Sequence, residues 1–355
     1  MENKHTLSDL YQMQSLPLEA KIRMTEYRIR QWIEEYGQDG VYVSFSGGKD
    51  STVLLDIVRN RMNYPDIPAV FVNVPTQYPE LKDFALKWDN VTVLNPKKSF
   101  MQICEQYGFP LVSKEIAHKM NDLQISRENG TYSYVERQFK GEYVSRNGKT
   151  NKYGIQKWAF LMDAPFDLSH MCCNVLKKQP LQEYTKTHKA YGITATMAEE
   201  SLLRTQQWIR NGCNGFNLKK PVSNPMSFWT EQDVLQYIKE NDLPICSVYG
   251  DVVEDLSGTD EVEGQLTISD LIGFENEKDF DAKKLPLKTT GCSRTGCMLC
   301  GFGCHLEKKG EERFQILKET HPKMYDMLDI VKNKGVTMRQ AIEWLNEHGN
   351  MNINL

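Results

Sequence analysis

Ser46-Gly47-Gly48-Lys49-Asp50-Ser51 joins two glycines, two hydroxyls, an ammonium and a carboxylate in one short stretch. That set suits a phosphate chain. Glycines let the backbone approach an anion closely, serine hydroxyls donate, and the lysine adds a full charge. The residues before it, Val41 to Phe45, are short, apolar and β-branched and read as a buried strand. Those after it, Thr52, Val53, Leu54, Leu55 and Val58, give a helix its buried face. Strand, glycine turn and helix N-terminus together make an anion site, because the first helical amides lack intrahelical partners and carry the positive dipole end. The dipole supplies only about 0.3–1 kcal/mol per charge, so several donors must converge. The pattern is not the Walker loop, since position 43 is valine.

Sulfur is the second chemical signal. Cys172 and Cys173 are adjacent, and Cys292, Cys297, Cys300 and Cys304 fall in one glycine-rich stretch, TTGCSRTGCMLCGFGCHLEKK. Thiols so clustered are not a packing pattern, and in a chain without an export signal they point to metal binding or redox chemistry. Cys104, Cys213 and Cys246 read as single buried thiols. The late cysteines allow a structural Zn²⁺ site, and their C-x₄-C-x₂-C spacing at 292, 297 and 300 is also seen in iron–sulfur proteins.

The elements that must position these groups follow from periodicity. Strands expected near 41–45, 69–74, 91–94 and 193–197 alternate with helices, which indicates an α/β fold with a parallel doubly wound sheet. In such a sheet a ligand sits at the carboxyl ends of the strands, where the turn lies. The first 35 residues read as a helical cap, with an amphipathic run ended by Gly37. Residues 36–245 are expected to form the nucleotide-binding domain, with an insertion at 113–158. Residues 246–355 then hold an acidic loop, the cysteines, and two helices around Pro322 and Gly335. In PMSFWTEQDVLQYIKENDLP, Thr230 is placed to cap a helix with Asp233 at the third position, and Val234, Leu235 and Ile238 form its apolar stripe.

The turn resembles the PP-loop of the adenine-nucleotide α-hydrolase superfamily, matched at Ser46, Gly47, Gly48, Lys49, Asp50 and Ser51. IPAVFVNVPTQYPEL is similar to a second stretch of that group, with Tyr78, Pro79 and Glu80 in register and Asn73, Val74 and Pro75 replacing its Asp-Thr-Gly. MCCNVLKKQPLQEY resembles the Cys-Cys segment of adenylyl-sulfate reductases, ITATMAEESLLR puts Glu200, Ser201 and Arg204 at motif positions, and the 229–234 helix start resembles that of phosphoadenylyl-sulfate reductases. The chain is thus identified as a member of the phosphoadenylyl-sulfate reductase family. The resemblance implies cleavage of ATP between its α and β phosphates, with Mg²⁺. Lys49 and Asp50 would be the catalytic groups, and Ser46, Gly47, Gly48, Ser51, Glu200, Ser201 and Arg204 would bind nucleotide. It also implies a [4Fe-4S] cluster on Cys172, Cys173, Cys297 and Cys300, leaving Cys292 and Cys304 as spare or alternative ligands.

Sulfonucleotide reductases attack with a cysteine in a C-terminal Glu-Cys-Gly-Leu-His motif, whereas Cys304 is the last cysteine here and lacks that setting. The expectation is therefore an ATP-dependent sulfur transferase resembling the DNA phosphorothioation sulfurtransferase. The alternatives are an adenylyl-sulfate or phosphoadenylyl-sulfate reductase using Cys304, and a non-catalytic nucleotide-binding subunit of a DNA-modification or defence assembly. A sulfur-donor protein, and a homo-oligomer or larger complex, are the implied partners.

Composition narrows the rest. With 40% hydrophobic residues, 25% charged and a net charge of −4, bulk charge does not drive nucleic-acid binding. The insertion is different. It carries nine Lys/Arg against five Asp/Glu, interleaved with Tyr132, Tyr134, Phe139, Tyr143, Tyr153 and Trp158. That composition suits either a nucleic-acid groove or a solvated helix–loop. Residues 251–281 hold eleven Asp/Glu and one Lys, an exposed loop or partner surface that would repel phosphates. No apolar run reaches membrane-spanning length, and the N-terminus has no signal-peptide core, so a cytoplasmic chain is expected.

Overall fold

The computed structural model describes residues 3–131, 133–144, 148, 155–256 and 285–355. Tyr132, Tyr153 and most of the acidic 251–281 stretch lie outside the described residues. The fold is α/β, built on a mostly parallel six-stranded sheet. Its strands are β1 (Val41–Phe45), β2 (Ala69–Val72), β3 (Val91–Leu94), β5 (Tyr191–Ile193), β6 (Asn214–Gly215) and β7 (Val222–Ser223), with β4 (Leu111–Val112) lying elsewhere. The order is β3-β2-β1-β5-β7-β6, with β1–β5 and β5–β7 parallel and β6–β7 antiparallel.

Two expected strands end early, each for a local reason. β2 stops at Val72, because Val74 N–H turns back onto Val72 C=O (3.0 Å) just before Pro75. β5 spans Tyr191–Ile193, so it begins two residues before the expected 193–197 and stops four residues before its end. Thr194 still donates its N–H to Ser223 C=O (2.9 Å), but its hydroxyl turns to Asn224, and Met197 N–H is taken by Glu200 Oε1 (2.9 Å).

The chain divides into two compact units, each assembled from three separate stretches. The first comprises Met1–Val70, Glu80–Val91 and Ala190–Thr295. Its helix α1 (Leu7–Gln14) starts at a Thr6/Asp9 capping box. Helix α2 (Leu18–Tyr36) buries Ile22, Ile29, Trp32 and Ile33 at helical spacing and ends at Gly37, whose φ of 78° only glycine adopts easily. The helix Glu231–Glu240 begins at Thr230 with the expected capping box to Asp233. Asp233 also takes the buried Lys21 ammonium at 2.7 and 2.6 Å, so one carboxylate both caps a helix and fixes α2. A paired, hydrogen-bonded ammonium is the form in which a buried lysine is tolerated.

The second unit comprises Phe71–Pro79, Thr92–Lys189 and Gly296–Leu355. Its core gathers Phe109, Leu111, Leu168, Leu176, Leu299, Leu328, Ile342 and Leu345. With β8 (Val252–Glu254) and β9 (Leu287–Thr289) paired in the first unit, the next strand, β10 (Gly301–Phe302), belongs here and pairs in parallel with β4. The insertion forms helices Lys114–Glu128, capped by Ser113, and Tyr134–Lys140. The C-terminal stretch departs from two helices: three short helices lead into an antiparallel pairing of Lys332–Asn333 with Val336–Thr337, then helix Met338–Gly349. Lys334 (φ 51°) and Gly335 (φ 83°) make the tight turn, so Gly335 reverses a hairpin where a helix break was expected.

Candidate functional site

In the first unit, β1 delivers the chain into Ser46-Gly47-Gly48, and helix α3 (Lys49–Asp56) leaves it without a side-chain cap. Gly47 has φ +72°, and a Cβ there would stand 2.7 Å from Leu81 C=O. Gly48 is tight as well, since a Cβ would meet Ser46 Oγ and Tyr249 Oη, each at 3.1 Å. The hydroxyls knit the turn together. Gly48 N–H donates to Ser46 Oγ (3.3 Å), Ser46 N–H donates to Ser51 Oγ (3.2 Å), and the Ser51 and Thr52 hydroxyls donate to Gly48 C=O (2.9 and 3.0 Å). The loop is thereby set in shape before any ligand arrives.

Gly47→Ala tests that shape. It forces a left-handed residue against a backbone carbonyl, so unfolding free energy should fall by about 1–3 kcal/mol in a urea titration. Gly48→Ala meets only side-chain atoms and should cost less. Equal stability of Gly47→Ala and the parent would contradict the strained-turn account.

Lys49 is buried, 2% exposed. Its ammonium donates to Ser293 C=O (2.9 Å), pairs with Glu231 Oε1 (3.1 Å) and Asp50 Oδ1 (3.6 Å), and lies 5.6 Å from the centre of the Tyr249 ring. Burial pushes the Asp50 carboxyl above its ordinary range; Lys49 and Arg294 pull it back down, while Glu200 and Glu231 push it up. The segment carrying Ser293 is tied down over Val248–Asp251. Gly291 and Cys292 N–H donate to Tyr249 and Val248 C=O (2.9 and 2.8 Å), and Tyr249 Oη lies 2.7 Å from Thr295 Oγ1.

Of the other expected nucleotide contacts, Glu200 acts electrostatically on Asp50 and is ion-paired with Arg204, while Ser201 caps the helix Leu202–Asn211. Sequence reasoning missed Glu231, Tyr249, Ser293, Arg294 and Thr295. Glu231 stood inside the matched helix start, yet only its fold-back onto Lys49 marks it out.

The second unit holds Cys172, Cys173, Cys297, Cys300 and Cys304, whereas Cys292 belongs to the first. Cys172 and Cys173 sit on the short helix Met171–Cys173. Cys297 bridges antiparallel to Gln77, Met298 N–H donates to Thr76 C=O (2.7 Å), and Cys300 N–H closes a turn onto Cys297 C=O (3.0 Å). The Arg313 guanidinium holds Cys300 C=O from below and pairs with Glu307 (3.1 Å).

Burial raises the Cys172 thiol well above its usual range, and Cys297, Cys104, Cys173 and Cys300 raise it further. Burial likewise raises Cys300, with Cys297 and Cys173 contributing. Burial alone would lower Lys177, but Cys297 and Cys173 reverse that and hold it above its ordinary value. Both Cys172 and Cys300 thus feel other thiols of the expected cluster set. Among the described residues, no three His, Cys, Asp or Glu stand as a set ready to hold a metal ion. The donor chemistry itself, soft thiols with the half-buried Lys177 ammonium near Cys297 and Cys173 to offset thiolate charge, fits either an iron–sulfur cluster or zinc. Cys304 is different: it is 3% exposed, donates to Cys300 C=O (3.6 Å), and burial pushes its thiol up to about 12.

A mostly parallel α/β sheet with a Ser-Gly-Gly-Lys turn at the end of β1 defines an adenine-nucleotide α-hydrolase-like protein. The phosphoadenosine phosphosulfate reductase domain model matches residues 40–122 and 133–301, most of the chain, and the chain belongs to that family. Among solved structures, a phosphoadenylyl-sulfate reductase from Candida auris in a phosphate complex is 13% identical, with 70% of this chain and 92% of that one covered and a TM-score of 0.36. The FMN adenylyltransferase of Candida glabrata in complex with ATP is 11% identical, covering 68% of this chain and 64% of that one, with a TM-score of 0.34. A search of curated proteins returns no match. Among the described residues, no helix is long and apolar enough to cross a membrane.

Proposed function

We propose that this protein is an ATP-dependent sulfur transferase that activates a substrate oxygen by adenylylation and releases pyrophosphate. The observation that carries the reading is the buried Lys49 at the uncapped start of α3, beside a glycine turn too tight for a side chain. The substrate oxygen attacks the α-phosphorus, the bond to the β-phosphate oxygen breaks, and pyrophosphate leaves. Lys49 neutralises the departing phosphates, and Ser46, Gly47, Gly48 and Ser51 cradle them. Asp50 orients Mg²⁺ or the helix start, with Glu200, Ser201 and Arg204 flanking the nucleotide. These are positioning and electrostatic roles, the main sources of rate in nucleotidyl transfer. Cys172, Cys173, Cys297 and Cys300 would hold a [4Fe-4S] cluster, which when bound would supply sulfur or relay it from a donor protein.

Cys304 favours this reading over a sulfonucleotide reductase. A nucleophilic cysteine needs exposure and thiolate character, and Cys304 is buried with a raised thiol pKa. Among the described residues of the insertion, three of the cations proposed for a nucleic-acid groove have local partners. Lys140 pairs with Glu136 (3.0 Å), Arg127 with the same carboxylate (3.5 Å), and the Arg137 guanidinium donates to Glu142 C=O (2.8 Å), so these cations are met locally.

The test is direct. Anaerobically purified protein is given ATP, and separately adenylyl sulfate or its 3′-phosphate. Pyrophosphate release supports the transferase, sulfite release the reductase, and neither product the non-catalytic subunit. Cys304→Ser should leave pyrophosphate release within about twofold of the parent, since serine can keep the hydrogen bond to Cys300 C=O and the thiol takes no part. Sulfite release from adenylyl sulfate or its 3′-phosphate that disappears in Cys304→Ser would restore the reductase.

A further inference from the structure

We infer that Glu231 is a positioning residue that holds Lys49 in the ligand-free turn as a stand-in anion and gives it up when polyphosphate binds. The inference rests on the turn being the polyphosphate site and adds the residue that regulates access to it. Lys49 Nζ has three donors, and its oxygen neighbours are Ser293 C=O at 2.9 Å, Glu231 Oε1 at 3.1 Å and Asp50 Oδ1 at 3.6 Å. An incoming phosphate oxygen must replace at least one of them. Ser293 is tethered by its neighbours, with Cys292 N–H on Val248 C=O and Thr295 Oγ1 on Tyr249 Oη. Asp50 is fixed as the second residue of α3. Both carboxylates are about a third exposed, at 33% and 31%, but Glu231 carries its carboxylate on a side chain one methylene longer and is the one that can swing away.

The local structure lets Glu231 release the ammonium without stranding its own charge. It is the first residue of the helix Glu231–Glu240, where the dipole favours a carboxylate, and water reaches it. Its own N–H is held by Glu199 Oε1 at 2.6 Å, so the backbone stays in place as the side chain swings. The free turn therefore keeps its buried ammonium aimed and compensated, and the ligand competes with a tethered carboxylate for it. Such competition sets a threshold: an anion with a single charge displaces the carboxylate poorly, and a polyphosphate displaces it well.

The experiment uses the full chain and inorganic pyrophosphate, with divalent cations chelated, in a calorimetric titration. Glu231→Gln keeps an oxygen acceptor of the same size and removes the competing charge. Pyrophosphate should bind about three- to tenfold tighter, the range expected for one partly exposed ion pair. Structural damage would loosen binding, so tightening is a readout that a merely structural role does not produce. Glu231→Ala should change affinity in the same direction, which separates charge from side-chain shape. In a Lys49→Ala background the gain should vanish, because the effect acts through Lys49. Equal or weaker binding by Glu231→Gln, or an equal gain in the Lys49→Ala background, overturns the inference. If the parent binds pyrophosphate and Glu231→Gln is unchanged, the gate alone fails. If neither binds, the assignment of the turn fails with it.

Discussion

Lys49→Ala is expected to lower pyrophosphate release from ATP by at least about 10²–10³-fold, the range for losing one preorganised charge-stabilising donor. Lys49 is the buried ammonium at the turn, held against Ser293 C=O and Glu231, whereas Arg294, the other cation that acts on Asp50, is exposed and screened by water. The variant also has a structural cost, because it leaves Glu231 and Asp50 without their shared ammonium. Breaking a fully buried pair costs about 3–5 kcal/mol. Here the two carboxylate side chains are roughly a third exposed, at 33% and 31%, so water offsets much of that and about 1–2 kcal/mol is expected. Activity is therefore compared at a temperature where circular dichroism shows both proteins folded. Glu231→Gln in the same chain should recover part of the stability and none of the turnover, which separates the chemical loss from the folding loss. Turnover near the parent rate in folded Lys49→Ala protein would remove the turn from the active site.

The second large effect concerns metal. Protein made without oxygen should be brown and carry about four irons per chain, as a [4Fe-4S] centre requires. Serine at Cys172, Cys173, Cys297 or Cys300 should each abolish the colour and the iron. The reason is partly electrostatic. Burial raises the thiols of Cys172 and Cys300, so both are poor thiolates unless a metal or cation stabilises the charge, and a serine hydroxyl is poorer still. Cys292→Ser and Cys304→Ser should keep the iron. Cys292 belongs to the other unit, and Cys304 donates to Cys300 C=O, which serine can also do. A structural zinc built on the late cysteines makes the opposite pattern, dependent on Cys292 and Cys304 and indifferent to Cys172 and Cys173. One colourless zinc per chain with that pattern would falsify the cluster assignment.

Local sequence determined what local physics can determine. The run Val41–Phe45 is β-branched and apolar enough to be a buried strand in almost any α/β context, and the strand ends at the residue where the apolar pattern stops. The Thr230/Asp233 capping box and the Gly37 helix stop were legible because caps are settled by residues a few positions apart. The turn was legible for the same reason: its glycines, hydroxyls and lysine are contiguous. The cysteine pairs drew attention because adjacent and glycine-spaced thiols are rare as packing, and whether they hold metal rests on the iron test above.

Long-range contacts decided the rest. Nothing near Lys49 in the chain announces that its ammonium will meet Ser293 and Glu231, since those contacts join positions far apart in sequence and depend on how the helix Glu231–Glu240 and the Gly291–Thr295 stretch fold back. The ends of β2 and β5 were misjudged because apolar and β-branched composition continues past the point where Val72 C=O, Asn224 and Glu200 take over the hydrogen bonding. Gly335 looked like a helix break until its pairing across a hairpin was visible. The two units each draw on three stretches of chain, an interleaving that composition along a line does not reveal. Residue type and spacing determined the family and the donors and charges gathered at the turn, because these are written residue by residue. Tertiary structure decided which carboxylates meet the lysine and which thiols are buried, because burial and pairing are properties of the folded chain.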